Sequence, residues 1–479
     1  MTTLLLRPAE NASLDKLPTN IIDILGSILE TLARNSGLIQ RKRKVTIDEV
    51  VRAWVDYLCI PHDKCKYTLA ALREHTCNKL GIHTESTPYH NCVSREGVQE
   101  YVTELLSILF GVIAQSFDRG GASDRIVRRL AKKLHVNDIV AIDGMELRLY
   151  PRCIANLGDK CKSKTDTTAA FKLHIAYSIL NKKIVYINLS EGTGDERENV
   201  EAELLKGSLV LMDRGYESAE LFDKLDANNV KFVVRGKKSR NGRVISSYNM
   251  SSGRALKAQA LVGKDLKDLC KIASKKSKDV DLYCDTDGSV RRVVAMKKPE
   301  CSRSKTPYGL YYTNLTRDVM NGEGIYLLYR IRWQVELFIK GLRSGSSLRQ
   351  SINSANETIN ILYIGCCLIA AGLKLHFGAK VAQYRLEMLS LLKVMREPLT
   401  GLYDWMQARV DNMCRVTIYT REQAILSQMK KFCERKKASS RDQKLNKDLP
   451  TLINSILQEI GKLLVNREGA LLGNSPKTA

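Results

Sequence analysis

Two short apolar runs constrain this chain most. IVAID spans residues 139–143 and LVLMD spans residues 209–213, and each closes on an aspartate. Both are too short for a helix and made of aliphatic residues, so each predicts a buried strand with a carboxylate at its end. Between them, FKLHIAYSIL and KKIVYINLSEG predict two further strands with a turn at Asn181. After the second run, ESAELFDKLDANN predicts a helix and KFVVRG another strand. Three strands followed by a strand–helix–strand unit require a mixed α/β domain around a central sheet. A carboxylate just past a buried strand sits at a sheet edge, where clefts form. Either aspartate alone reads more readily as a turn residue.

The flanks read differently. Residues 1–135 carry apolar residues at helical spacing, as in IIDILGSILETLAR and VQEYVTELLSILFGVIAQSF. Ser94 is placed to cap the second of these. The basic RKRK, Arg41 to Lys44, suits a helical head that binds DNA. Residues 236–307 are basic and rich in Gly and Ser, with strand-like pieces DLYCDTDG and RRVVAM, and predict an inserted β-rich subdomain. YGLYYTNL then returns to the central sheet, and one helix is predicted over Gly322 to Arg343. Residues 351–479 are expected to be mainly helical, interrupted by a basic run from Lys430 to Lys447. The expected organisation is three regions, 1–135, 136–350 and 351–479.

Charge narrows the function. Lys and Arg number 76 against 52 Asp and Glu, a net +24. The stretch from Lys231 to Pro307 holds 20 of the bases and 7 of the acids. Such a surplus points to a polyanionic partner, nucleic acid above all. A 44% apolar share excludes a mainly disordered chain. The longest uncharged apolar stretch, Ile361 to Leu373, is too short to span a bilayer, and no membrane partner is expected. The N-terminus lacks the charged and apolar segments of a secretion signal. Thirteen cysteines without a CxxC pair indicate a reducing cytoplasm. No phosphate-binding P-loop occurs, which argues against an ATP-driven motor.

The segment YLLYRIRWQVELFIKGLR carries the most specific pattern. At about 100° per residue, Tyr329, Arg332, Trp333, Glu336, Lys340 and Arg343 share one face. Ile331, Val335, Phe338, Ile339 and Leu342 share the other. The apolar face packs on a core. The polar face reads either as a solvated stripe with i,i+4 ion pairs or as a binding face, since Trp and Tyr suit stacking on bases.

Here the chain resembles the insertion-sequence-4 family of bacterial DDE transposases. That family's signature is Tyr, two residues, Arg, three residues, Glu, six residues, Lys. This chain has Tyr329, Arg332, Glu336 and, at the last position, Arg343. DRGY, Asp213 to Tyr216, resembles the segment around the family's second catalytic Asp, and IVAIDG the segment around the first. YTNL, Tyr312 to Leu315, resembles the strand before the signature helix. The resemblance covers about residues 135 to 345.

The resemblance implies an RNase H-like α/β catalytic core with a β-rich insertion, flanked by α-helical N- and C-terminal domains. It places the first Asp on the first strand, the second on the fourth and Glu on a neighbouring helix. It implies that Asp143, Asp213 and Glu336 are the catalytic acids and hold two Mg²⁺ ions per site, with Mn²⁺ as a substitute. Converging carboxylates need cations to ionise together, and paired hard ions suit phosphoryl transfer. Tyr329, Arg332, Trp333, Lys340, Arg343, Arg214 and Tyr308 are the expected DNA contacts. The implied activity is cut-and-paste transposition on double-stranded DNA, at element inverted-repeat ends and target, by a homodimer in the bacterial cytoplasm near the nucleoid. A nuclease without strand transfer and an inactive DNA-binding inhibitor are the alternatives.

Two departures stand out. Arg343 replaces the family's Lys, and Lys340 one turn earlier can cover that role. Relatives that cut through a hairpin stack a flipped base on a Trp in the insertion. Here the tryptophans are Trp54, Trp333 and Trp405, so Tyr308, Tyr311 or Tyr312 would have to serve. Separately, Cys59, His62, Cys65, His75, Cys77, His83, His90 and Cys92 crowd one stretch; zinc is conceivable there, without supporting spacing. SEGTGDERE, Ser190 to Glu198, reads as a solvated loop, with an approach to the acids as its alternative.

Overall fold

The computed structural model describes residues 4–6, 28–40, 44–60, 67–116, 122–157, 169–181, 184–237, 242–250, 255, 261–266, 279–286, 288–297, 308–345, 347–385, 391–433, 449 and 451–463. A ten-stranded sheet forms its centre. The strands are β1 (Leu4–Leu6), β2 (Ile139–Arg148), β3 (Ala170–Ser178), β4 (Ile184–Glu191), β5 (Leu209–Met212), β6 (Lys231–Arg235), β7 (Arg243–Asn249), β8 (Val280–Thr286), β9 (Ser289–Lys297) and β10 (Tyr308–Thr313). Their order is β1-β4-β3-β2-β5-β6-β10-β9-β8-β7. β2, β3 and β4 form an antiparallel meander. β2, β5 and β6 run parallel, and β10 to β7 continue antiparallel. The mixed α/β expectation therefore holds. The basic insertion does not form a sheet of its own: β7, β8 and β9 extend the central one through β10.

Helices α1 (Leu29–Asn35), α2 (Ile47–Cys59), α3 (Leu69–Leu80), α4 (Ser86–Val93), α5 (Val98–Ser116) and α6 (Ala122–Lys133) precede β2. A short α7 (Cys153–Leu157) follows it, and α8 (Ala219–Ala227) links β5 to β6. After β10 come α9 (Gly322–Ile331), α10 (Trp333–Gly345), α11 (Glu357–Arg385), α12 (Leu391–Arg396), α13 (Leu402–Val410) and α14 (Arg415–Cys433). A last helix covers 451–463. Ser94 closes α4 instead of opening α5: its hydroxyl donates to the His90 carbonyl at 2.8 Å.

Two cores flank the sheet. On one face, α8 lays Leu221, Phe222 and Leu225 on Val210, Met212, Phe232 and Tyr312. On the other, α9 and α10 pack with residues from Leu29 to Ile460 in one continuous cluster. β5 is buried on both faces, which explains its unbroken apolar text. α11 is the centre of the larger cluster. Its segment Glu357–Gly378 is long and apolar enough to cross a membrane, yet nearly all of it is buried inside the protein against α2, α5, α12 and α14.

Candidate active site

Strand register brings the two aspartates together. β2 and β5 pair in parallel from Ile139 with Leu209 to Ile142 with Met212. The next residue in each chain segment is the aspartate, so Asp143 and Asp213 stand side by side, about 5 Å apart in backbone. Asp213 follows the end of β5, but Asp143 does not end its strand as the sequence suggested, because β2 runs on to Arg148 paired with β3. Side chains alternate along a strand. Ala141 and Leu211, two residues earlier, belong to the core shared with α9 and α10. Both aspartates therefore project toward those helices.

The helical arm that carries Glu336 is stepped. α9 ends at Ile331 and α10 begins at Trp333, with Arg332 as a tight turn between them. The Arg332 N–H donates to the Tyr329 carbonyl, and the Val335 N–H donates to the Arg332 carbonyl. Both are three-residue steps, narrower than the α-helical ladder. Ile331, Val335, Phe338, Ile339 and Leu342 are all buried, as the apolar stripe predicts. Phe338 stacks on Tyr177 of β3, ring centroids 4.7 Å apart, and this seats α10 across the sheet.

Arg332 joins the acids. Its guanidinium is 3.2 Å from an Asp143 carboxylate oxygen and also pairs with Glu336. Its Nε donates to the Tyr329 hydroxyl at 3.2 Å. Burial pushes the Asp143 carboxyl up to about 6; Arg332 opposes the rise, and Asp213 adds to it. The Arg332 guanidinium is raised in turn, because Tyr329, Glu336 and Asp143 outweigh its desolvation. Asp213 is held by its own turn, its carboxylate accepting from the Gly215 N–H at 2.7 Å. Asp143 accepts from the Gly144 N–H at 2.9 Å.

The donor set suits hard divalent ions: hard oxygen donors from three elements, converging on a point that holds a cation. Among the described residues, no three His, Cys, Asp or Glu side chains are arranged to hold a metal ion. The charge between Asp143 and Glu336 is the guanidinium. Admitting a metal ion requires that side chain to withdraw.

The expected DNA contacts divide into two sets. Trp333, Lys340 and Arg214 are exposed, and Arg343 is partly so. Tyr329 and Arg332 are buried instead. The Tyr329 ring packs on Tyr311, centroids 4.9 Å apart, and Arg332 is turned to the acids. Tyr308 opens β10, and its side chain lies outside the described residues. Tyr311 and Tyr312 present no face for a flipped base: Tyr311 packs on Tyr326 and Tyr329, and Tyr312 lies beside Phe222 in the opposite core.

The structure also adds residues. SEGTGDERE does approach the acids. Lys172 of β3, nearly buried, holds Glu196 at 3.2 Å. A basic face on α6 presents Arg125, Arg128, Arg129, Lys132 and Lys133 outward, over buried Val127, Leu130 and Ala131. Its signal was the apolar spacing within ASDRIVRRLAKK. In the Cys/His stretch, Cys59 is fully buried and His75 pairs with Asp56 at 3.0 Å. His62 and Cys65 lie outside the described residues.

Residues 135–369 match the family model of the transposase DDE domain. The chain is also 22% identical over 409 residues to the transposase for insertion sequence element IS231D of Bacillus thuringiensis subsp. finitimus. That alignment covers 78% of this chain and 80% of the relative. The domain match takes in Asp143 on β2, Asp213 after β5 and Glu336 on α10, and together with the relative it supports a DDE transposase.

Proposed function

We propose that this transposase moves an insertion element by cut-and-paste DNA transposition, with Asp143, Asp213 and Glu336 as its catalytic acids. One observation carries the reading. The parallel register of β2 and β5 sets two aspartates side by side, and Arg332 links the first of them to Glu336. Strand order supports an RNase H-like core. Counted from β2, the first aspartate is on the first strand, the second follows the fourth, and the glutamate is on a helix packed over them. Tyr329, Arg332 and Glu336 at signature spacing support the insertion-sequence-4 family.

Each acid has a separate approach to the cleft. Asp143 is fixed within β2 by its pairing with β3, Asp213 by the turn after β5, while Glu336 arrives from a helix. Asp143, Asp213 and Glu336 would hold divalent ions, Mg²⁺ in the cell, which would supply activation of a water or 3′-hydroxyl and stabilisation of the leaving oxygen. Arg332 neutralises the acids until then and is placed to turn to a scissile phosphate. Trp333, Lys340, Arg343 and Arg214 line the approach for terminal DNA. The basic face of α6 and the basic insertion add phosphate contacts farther out. The helical flanks bind the element end and a second copy of the chain, in the bacterial cytoplasm.

Strand transfer is tested with pre-cut element ends, a supercoiled target plasmid, purified protein and Mg²⁺. Ends covalently joined to the target are expected. Hydrolysis of the ends with no joined product would instead indicate a nuclease.

A further inference from the structure

Both catalytic aspartates are followed closely by a glycine, Gly144 directly and Gly215 two residues on. The missing side chains leave space beside the aspartates, and one carboxylate fills it. A Cβ placed on Gly215 would stand 2.7 Å from the Glu196 Oε2 and 3.0 Å from an Asp213 oxygen. A Cβ on Gly144 would stand 3.9 Å from the Glu196 Cδ and 3.8 Å from the Tyr216 hydroxyl. Glu196 thus reaches the backbone of both aspartate segments, next to the Asp213 carboxylate. Its other oxygen is anchored, since the Lys172 ammonium donates to Oε1 and to the Gly194 carbonyl at 3.1 Å.

The Tyr216 hydroxyl supplies an independent observation. The residue is fully buried, its oxygen faces the same space, and among the described residues it has no hydrogen-bond partner. A buried polar group left so is destabilising. A water from the shell of a cation held beside Glu196 would satisfy it.

We propose that Glu196 is a fourth carboxylate of the divalent-ion site, held by Lys172 and admitted by the two glycines. This rests on the reading of Asp143, Asp213 and Glu336 as the metal-binding acids. Oε1 belongs to Lys172, and Oε2 beside Asp213 faces the ion or its water shell. The arrangement explains why a carboxylate that could rotate freely into solvent is instead held between the two aspartate segments.

Mn²⁺ binding to the full chain, measured by titration calorimetry and electron paramagnetic resonance, tests the proposal without reference to cleavage. Glu196→Gln keeps the shape and an oxygen for Lys172, so the metal-free Tm is expected to stay near wild type. Its Mn²⁺ affinity is expected to fall about 10–100-fold, the range for lost supporting ligands. Gly215→Ala, which pushes a Cβ against Oε2, is expected to weaken Mn²⁺ binding as well, and carries the test should Glu196→Gln fail to fold. Wild-type Mn²⁺ affinity in either variant overturns the proposal and leaves Glu196 as a structural partner of Lys172. Asp213→Asn separates the two levels. If it binds Mn²⁺ like wild type, the underlying metal reading fails; if it loses binding while Glu196→Gln does not, only the role of Glu196 fails.

Discussion

The Arg332 guanidinium neutralises two carboxylates on different elements at once, Asp143 on β2 and Glu336 on α10. Removing it leaves both partly buried acids uncompensated. Arg332→Met is expected to destabilise the metal-free protein by about 2 kcal/mol, discounted from the buried-pair value because both carboxylates reach solvent. Mn²⁺ is then expected to raise the variant's Tm more than the wild type's, because the ion replaces the lost charge. Equal shifts would mean that guanidinium and ion do not share a site. The nearness of Asp143, Asp213 and the Glu336 helix was legible in the sequence, because an apolar run precedes each aspartate and a periodic stripe isolates the glutamate. Glu196 was not. Its approach depends on how the loop after β4 folds over the aspartate segments, and no local pattern encodes that path.

Elements carry a second kind of constraint. α11 crosses α5 so closely that a Cβ on Gly365 would stand 2.2 Å from a methyl of buried Val102. Gly365→Ala is expected to cost about 1–3 kcal/mol by overpacking, read as a lower denaturant midpoint. Gly461, in the last helix, has nothing among the described residues within 4 Å of its Cβ position. There the same substitution is expected to be neutral or stabilising by up to about 1 kcal/mol. α11 also buries His376, whose two ring nitrogens have no hydrogen-bond partner among the described residues. Burial, and then Lys380, lower its pKa to about 3. The unfolded chain takes up this proton near the ordinary 6.5, the native chain only near 3. Stability is thus fully present above pH 6.5 and is lost as pH falls toward 3, by at most about 5 kcal/mol. Urea midpoints from pH 7 to 4 are expected to fall less steeply in His376→Leu. Helix existence was legible from periodicity, but the step at Arg332 was not. The apolar spacing runs unbroken from Ile331 to Leu342, and only the pull of Arg332 toward Asp143 distinguishes the joint.

Across the whole molecule, one apolar cluster joins residues from α1 to the last helix against one face of the sheet. Helices from both flanks complete it, with α11 packed on α2 and α5. A fragment of residues 136–350 would expose that face. It is expected to be insoluble or to lack a cooperative thermal transition; a soluble, cooperatively folding fragment would show that the flanks are dispensable. The sheet's inner strands could be read in order from the text. The joining of β7–β9 to them could not, because it depends on β9 pairing with β10 across a long basic stretch. Charge was legible in full, since a net +24 is a property of composition. Its placement on α6 needed the helix to be seen packed.

Cleavage itself tests the catalytic triad most directly. Donor DNA carrying this gene with its native flanks is incubated with the full chain and Mg²⁺, and new 3′-hydroxyl ends are mapped at nucleotide resolution. Wild type is expected to cut at two flanking inverted sequences, while Asp143→Asn, Asp213→Asn and Glu336→Gln each bind those ends and leave them uncut. Cutting by Glu336→Gln at the wild-type rate would contradict the assignment of α10 to the active site.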